Sequence, residues 1–154
     1  VLCFAMAITT SIGQAQPLRE GLTDNSFQQE FEANMSSLGN PMELTIELCS
    51  GERVIFCVYR TPNDARLMAY TIMDGDDIER IFYAANRKID PDAFAYGITA
   101  LSYVADPTLT EADLTRILDE IHASFGQVLP NYGTSTHNDR RFSLNYKGGE
   151  LHLV

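Results

Sequence analysis

The alternation of hydrophobic and polar residues predicts a β-hairpin over residues 42–60. Apolar residues occur at every second position before the break at Ser50-Gly51-Glu52 and again after it. The alternating residues are Leu44, Ile46, Leu48, Val54, Phe56 and Val58. Pairing Leu48 with Val54 puts all of them on one face of the hairpin, which we expect to be the buried face. Residues 66–73 continue the pattern as a third strand.

Helical spacing of apolar residues predicts three helices, each with its own start signal. We expect them from a Ser26 cap to Ser37, from Asp90-Pro91 to Asp106-Pro107, and over 111–125 behind a Thr110 cap. Their apolar stripes are Phe27, Phe31 and Met35; Phe94, Ile98 and Leu101; and Leu114, Ile117, Leu118, Ile121 and Phe125. Each stripe gives its helix one face to bury against a sheet.

The segment 78–85 fits two structures. Asp76 and Glu79 resemble a capping box, so we take a short helix, although Ile81-Phe82-Tyr83 could equally form a fourth strand.

The last part of the chain is predicted to be a loop followed by a hairpin. Residues 130–140 are polar, and the final hairpin turns at Gly148-Gly149 with Leu144 facing Leu153. The order of these elements predicts a single α+β domain, in which an antiparallel sheet of about five strands carries helices on one face.

The composition is that of an acidic globular protein. The chain has 154 residues, with 21 acidic and 11 basic side chains and a formal net charge of −10. Nucleic acids and anionic lipids attract clustered Lys and Arg, so this balance argues against both as partners. No apolar stretch approaches the roughly 20 residues that cross a bilayer, so we expect no membrane anchor.

The first 15 residues have features of a secretory signal peptide. They contain no charged residue, the apolar run Val1–Ile8 is short, and Gly13-Gln14-Ala15 places small residues before a cleavage point at Gln16. The positively charged start of such signals is missing, so the segment 1–15 looks truncated; a buried first strand or helix is the alternative. We expect residues 16–154 to be the mature domain, periplasmic or secreted.

Cleavage there would leave Cys49 and Cys57 in an oxidising compartment, which favours a disulfide. The predicted hairpin register argues against it. The two cysteines would lie four residues apart along the ladder, roughly 13 Å at ~3.3 Å per residue. A disulfide needs Cα atoms within about 7 Å. We expect the hairpin register to prevail and both thiols to be free.

One histidine, His137, is predicted to lie in an irregular loop. Ser135 and Asp139 are its near neighbours, and a histidine between a carboxylate and a hydroxyl can act as the base for nucleophilic attack. The Gly-x-Ser-x-Gly motif of many hydrolases is absent. A small hydrolase or ligand-binding domain using the loop 130–141, with His137 as the base and Arg140 or Arg141 holding an anion, is therefore the alternative function.

Carboxylates are concentrated at one predicted turn. They are Asp74, Asp76, Asp77 and Glu79. They could hold Ca²⁺, but their spacing does not match the ligand positions of an EF-hand loop. A turn followed by a helix N-terminus explains the same residues. We predict no metal and no cofactor.

Acidic residues are also unevenly distributed along the chain. Between Arg19 and Arg53 there are seven acidic residues and no basic one. They are Glu20, Asp24, Glu30, Glu32, Glu43, Glu47 and Glu52. The simpler interpretation is a solvated surface that keeps an exported protein soluble. The functional interpretation is an anionic docking surface for a basic protein.

The candidate contacts of that docking surface are on the predicted hairpin. Glu43, Glu47 and Glu52 would supply the charge, and Ile55 and Tyr59 on the expected outer face would supply an apolar centre, unless a helix covers them. We therefore predict an exported, non-catalytic interaction protein, such as an inhibitor, immunity or accessory factor for a cationic partner, rather than an enzyme.

Overall fold

Among the described residues, seven strands form one antiparallel sheet, and three helices cover one of its faces. The computed structural model describes residues 17–51, 54–62, 66–72, 77–84, 91–127, 130–145 and 150–153. The helices are α1 (Asp24–Ser37), α2 (Pro91–Ala105) and α3 (Glu111–Ala123). The strands are β1 (Thr45–Ser50), β2 (Val54–Arg60), β3 (Arg66–Ile72), β4 (Arg80–Ala84), β5 (Gly133–His137), β6 (Arg140–Asn145) and β7 (Glu150–Leu153). Their order in the sheet is β1-β2-β3-β4-β7-β6-β5.

The predicted class, an α+β domain with an antiparallel sheet, is confirmed. The sheet has seven strands instead of about five because two segments were misassigned. The segment 78–85, predicted as a short helix, contains β4, and the polar loop predicted over 130–140 contains β5 and the turn after it.

β4 is a strand because it has partners on both sides. It pairs with β3 and with β7, which lies far away in the sequence. Ile81 and Tyr83 are buried on one face, while Phe82 between them is half-buried on the other. This period of two is the strand alternative that the sequence left open.

β5 and β6 form a hairpin with a tight two-residue turn. Asn138 and Asp139 have φ angles of 48° and 61°, and a type I′ turn needs positive φ at both central positions. Asn and Asp tolerate this conformation better than most residues. The composition of β5, Gly-Thr-Ser-Thr-His, lacks an apolar alternation, so the sequence pattern resembled a loop.

The three helices occur where the sequence predicted them. The predicted stripe of α1, Phe27, Phe31 and Met35, is fully buried. Its cap is Thr23, and Ser26, the predicted cap, is the third helical residue of the capping box. Thr110 caps α3 as predicted, and it forms a capping box with Asp113.

All three helices lie on the same face of the sheet. One row of paired residues crosses the sheet and contains Tyr59, Tyr83 and Gly133. α1 contacts the first of these residues, with Phe27 and Tyr59 ring centroids 5.2 Å apart. α2 contacts the second, with Phe94 and Tyr83 centroids 5.9 Å apart. α3 lies against the third, at Gly133.

The prediction of free thiols is wrong, because β1 and β2 pair in another register. Leu48 lies opposite Val58 instead of Val54, which brings Cys49 opposite Cys57 at a Cα separation of 4.1 Å. The two sulfur atoms form a disulfide. At Leu48 the shift is four residues, which is even, so alternation alone could not choose between Val54 and Val58 as its partner. The bulge between Ile46 and Leu48 makes the shift three residues at Ile46, which lies opposite Tyr59.

The predicted buried face of the hairpin is also wrong on β2, although Leu44 before β1 is buried as predicted. Cys57 and Tyr59 are 2% and 1% exposed under the helices, whereas Phe56 and Val58 are half-buried on the other face. Both alternating sets on β2 are apolar, so the period of two identified a strand without identifying its core side. α1 covers Tyr59, which is the alternative that the sequence analysis left open.

The last hairpin also differs from its predicted register, by two residues. Leu144 lies opposite Leu151 rather than Leu153. The predicted turn at Gly148-Gly149 falls outside the described residues.

Gly133 permits the close approach of α3 to β5. A Cβ atom there would lie 1.9 Å from the carbonyl oxygen of Ile121. We expect Gly133→Ala to lower the free energy of unfolding by about 3 kcal/mol, because backbone must move to relieve the overlap. Urea unfolding measures it. Thr136→Ala, at an exposed position of the same strand, is the control and should change stability by less than about 1 kcal/mol; equal effects would contradict the proposed clash.

Candidate interaction surface

The candidate catalytic residues Ser135 and His137 lie on one face of β5, but their polar atoms have other partners. The Ser135 hydroxyl is buried and donates to Glu120 Oε2 at 2.5 Å. His137 Nδ1 lies 2.5 Å from Arg116 Nη2. Arg116 also binds Glu120 Oε1 at 2.7 Å, so α3 and β5 are joined by a polar chain of four side chains. The serine therefore contacts a carboxylate rather than the imidazole.

Two carboxyl groups of α3, on Glu120 and Asp113, have surroundings that favour their ionised forms. The Ser135 hydroxyl and the Arg116 guanidinium lower the pKa of the Glu120 carboxyl. The Thr110 side chain and backbone N–H lower the pKa of Asp113 in the same way. These groups are at the surface of α3, so their contribution to stability is small.

The other members of the predicted loop site are dispersed. Asp139 occupies the tight turn, and Arg141 is exposed on β6. Arg140 is engaged inside the fold, since its Nε donates to the Leu18 carbonyl at 2.5 Å and its Nη1 lies 3.3 Å from Asp106. Of the two arginines predicted to hold an anion, Arg140 thus makes contacts within the fold, whereas Arg141 is exposed.

The Asp106 carboxylate is held by three residues, Thr108, Asn138 and Arg140. Its side chain is only 3% exposed and accepts from the Thr108 hydroxyl at 2.6 Å, the Thr108 N–H at 3.0 Å and the Asn138 amide at 2.8 Å. With Arg140 it joins the connection after α2, the β5–β6 turn and the segment before α1. This cluster is structural.

The candidate metal ligands are only partly described. Asp74 and Asp76 fall outside the described residues. Asp77 Oδ1 accepts from the Gly21 N–H at 3.1 Å, which ties the segment before α1 to the sheet. Burial raises the pKa of Glu79, although the charge of Arg80 opposes the change. In the described ranges, no group of three or more His, Cys, Asp or Glu residues could hold a metal ion.

Several residues of the acidic stretch have partners inside the fold. Glu30 binds Arg19 at 2.5 Å, and Glu47 binds Arg60. Glu32 Oε1 accepts from the backbone N–H of Leu44 at 2.8 Å. The acidic stretch is therefore partly a set of structural contacts, and its exposed members are fewer than the sequence suggested.

The predicted binding residues have different environments. Glu43 and Glu47 are exposed, Glu52 is outside the described residues, and Ile55 is 43% exposed. Tyr59 is buried, and this burial, with the charge of Asp24, raises the pKa of its hydroxyl to about 12. Tyr59 is thus a core residue and cannot form the centre of an interface.

The two edges of the sheet differ in how their backbones are covered. At the β5 edge, the Ser124 hydroxyl donates to the Thr134 carbonyl at 2.7 Å and accepts from the Thr134 N–H at 2.8 Å. At the other edge, all six residues of β1 are exposed, and β1 has no strand neighbour besides β2 among the described residues. β1 therefore presents an open edge, which is the part of a sheet that accepts an additional strand.

Exposed apolar side chains and carboxylates accompany this edge. Ile46 and Leu48 are 53% and 50% exposed, more than any other large hydrophobic residue in the described ranges. Glu47 is an extra residue between them that forms a β-bulge. Sequence reasoning took Ile46 and Leu48 as core because they alternate with polar residues, and no local signal in the sequence showed that β1 is an edge strand.

A cavity adjoins the start of β1. Its volume is about 430 Å³, and it is open to solvent. Glu32, Pro41, Met42, Glu43 and Pro62 line it. We define the β1 edge surface as Glu43, Ile46, Glu47 and Leu48 together with this cavity. Its chemistry is apolar and anionic.

Comparisons with known protein families, with characterised proteins and with solved structures find no match to this chain. Within the described part of the chain, none of the helices is long and apolar enough to span a bilayer.

The Asp106 cluster predicts a specific pH dependence. Burial acts to raise the pKa of Asp106, but hydrogen bonds from Thr108 and Asn138 and the charge of Arg140 outweigh it, and the net pKa is lowered. The carboxylate therefore stabilises the fold at neutral pH, and this stability is lost as the pH falls below about 4 through the lowered value. We expect Asp106→Asn to cost about 3 kcal/mol at pH 7 and progressively less at acidic pH.

Chemical unfolding of both proteins across this pH range measures the difference. Asp119→Asn on the exposed side of α3 is the control. A stability difference between Asp106→Asn and the parent chain that does not shrink on acidification would contradict the assignment.

Proposed function

We propose that this chain is a non-catalytic binding protein that holds an extended, cationic segment of a partner along the β1 edge surface. The observation that carries the proposal is the open β1 edge, whose six residues are all exposed, while the opposite edge is covered by Ser124. An extended segment added to such an edge gains main-chain hydrogen bonds, and its alternate side chains contact the two sides of the edge.

The charge of the surface supports a cationic partner. Glu43 is exposed beside the edge and lines the adjoining cavity together with Glu32. Glu47 also borders the edge, but its charge is balanced by Arg60. The whole chain carries a formal charge of −10, which would also steer a basic partner toward it. Because such charges act through solvent, the association should weaken as salt is added.

Two features make binding the better-supported function for the described residues. The Ser135 hydroxyl is engaged by Glu120 and not by His137, so the predicted serine relay through His137 is not formed. Arg140 is committed to Asp106 and Leu18, so it does not hold a substrate anion.

We also propose that the protein acts outside the cytoplasm. The support is the uncharged, apolar segment 1–15 with small residues before Gln16. An inhibitor, immunity or accessory factor is the class of protein that fits both features, and its partner would be a basic protein.

A designed peptide tests the binding mode. The probe is a fluorescent peptide of alternating Lys and Val, long enough to span the six residues of β1, and a Glu-Val peptide of equal length is its counterpart. We expect the Lys-Val peptide to bind with an affinity that falls with salt, and the Glu-Val peptide not to bind. Fluorescence anisotropy gives both dissociation constants.

Two controls separate strand addition from general attraction. Glu43→Lys should weaken binding about tenfold, equivalent to about 1.4 kcal/mol, whereas Glu111→Lys on exposed α3 should not. Two further Lys-Val peptides carry methyl groups on alternate backbone nitrogens, one on the odd-numbered and one on the even-numbered residues. Only one of the two should lose affinity, because only one set of N–H groups pairs with β1. Equal effects of the two Lys variants, or undiminished binding of both methylated peptides, would refute the proposal.

A further inference from the structure

We propose that the Cys49–Cys57 disulfide is a redox switch for the β1 edge surface. In the oxidised form it holds β1 on β2, and on reduction β1 separates and the binding surface is lost. This inference rests on the proposed function, since it concerns the regulation of that same site.

The disulfide lies where it can control β1 and little else. Cys49 and Cys57 are directly opposite each other on the edge strand and its neighbour. Cys57 is 2% exposed and belongs to the core cluster, so it remains fixed when the bond opens. Cys49 is exposed and would leave with β1.

Apart from this bond, β1 is held by its backbone ladder with β2 and by an ion pair, and no helix in the described part of the chain packs extensively on it. None of its six residues is buried, so its release uncovers little apolar surface of its own. The bulge at Glu47 interrupts the ladder with β2. The ion pair of Glu47 with Arg60 joins partly exposed side chains, and such pairs hold strands only weakly.

The residues before β1 confine the separation to the strand itself. Leu44 is 5% exposed in the core, and its N–H is bound to Glu32. Met42 is 8% exposed. The chain is therefore anchored directly before Thr45, and the structure assigns the switch to residues Thr45–Ser50 rather than to the sheet as a whole.

The chemistry requires a dithiol as reductant. One thiolate of the dithiol attacks the sulfur of exposed Cys49, the bond to Cys57 breaks, and Cys57 leaves as a thiolate that takes up a proton. The second thiol of the reductant then attacks the mixed disulfide and releases Cys49 as a thiol. Two electrons pass from the dithiol to the protein, and the dithiol becomes a disulfide.

Dithiothreitol and hydrogen–deuterium exchange test the switch. Treatment of the full chain with dithiothreitol should accelerate amide exchange in Thr45–Ser50 at least tenfold and leave β6 unchanged. Affinity for the Lys-Val peptide should fall at least tenfold and return on reoxidation. Cys49→Ser, which changes only the exposed partner, should behave like the reduced protein and should not respond to dithiothreitol.

The two readouts distinguish the possible failures. If the oxidised protein does not bind the peptide, the proposed function fails, and exchange at β1 alone then decides whether the strand is released. Unchanged β1 exchange overturns the switch, as does an affinity that stays within twofold after reduction. Faster exchange in β6 as well would show general unfolding and would equally overturn it.

Discussion

The pairing of β4 with β7 is the contact on which the rest of this fold depends. β1 to β4 form one antiparallel meander and β5 to β7 another, with two helices between them in the sequence. The β4–β7 ladder, from Ile81 opposite Leu153 to Ala84 opposite Glu150, joins them into one sheet. Because this ladder closes a long stretch of chain, it costs loop-closure entropy, which the packing of α2 and α3 on the same face of the sheet helps to offset.

The buried polar cluster at Asp106 stabilises this arrangement at one end. It links the segment before α1, the connection after α2 and the β5–β6 turn, three parts of the chain that share no strand. A buried carboxylate is costly unless its hydrogen bonds are satisfied, and here Thr108, Asn138 and Arg140 satisfy them. The cluster therefore fixes the relative positions of these three segments and also stabilises them.

The two edges of the sheet differ in how their backbone groups are satisfied. Ser124 after α3 satisfies the backbone of β5 at Thr134, while β1 extends beyond the helical layer with every residue exposed. Natural proteins usually protect an edge with charge or a bulge, and β1 has Glu47 for both purposes. An edge protected in this way resists pairing with copies of itself, and the partner segment that we propose for it carries the opposite charge. The disulfide holds this edge in place.

The sequence by itself determined the elements whose signals are local. The three helices follow from apolar stripes and from caps such as Thr110 with Asp113, which act within three or four residues. The order of elements sufficed for the α+β class, and Glu43 was correctly predicted to be exposed. Segment 1–15 and Glu52 are outside the described residues, so the interpretation of both stays a prediction.

Only the tertiary structure decided the strand partners, the faces and the candidate surface. A period of two is unchanged by an even register shift, so the sequence could not distinguish Val54 from Val58 as the partner of Leu48. β2 is apolar on both faces, so only the position of α1 over Tyr59 shows which face is the core. Ile46 and Leu48 looked like core residues, and they are exposed because their strand lies at the edge. That position is set by pairing along the whole sheet, which no local pattern encodes.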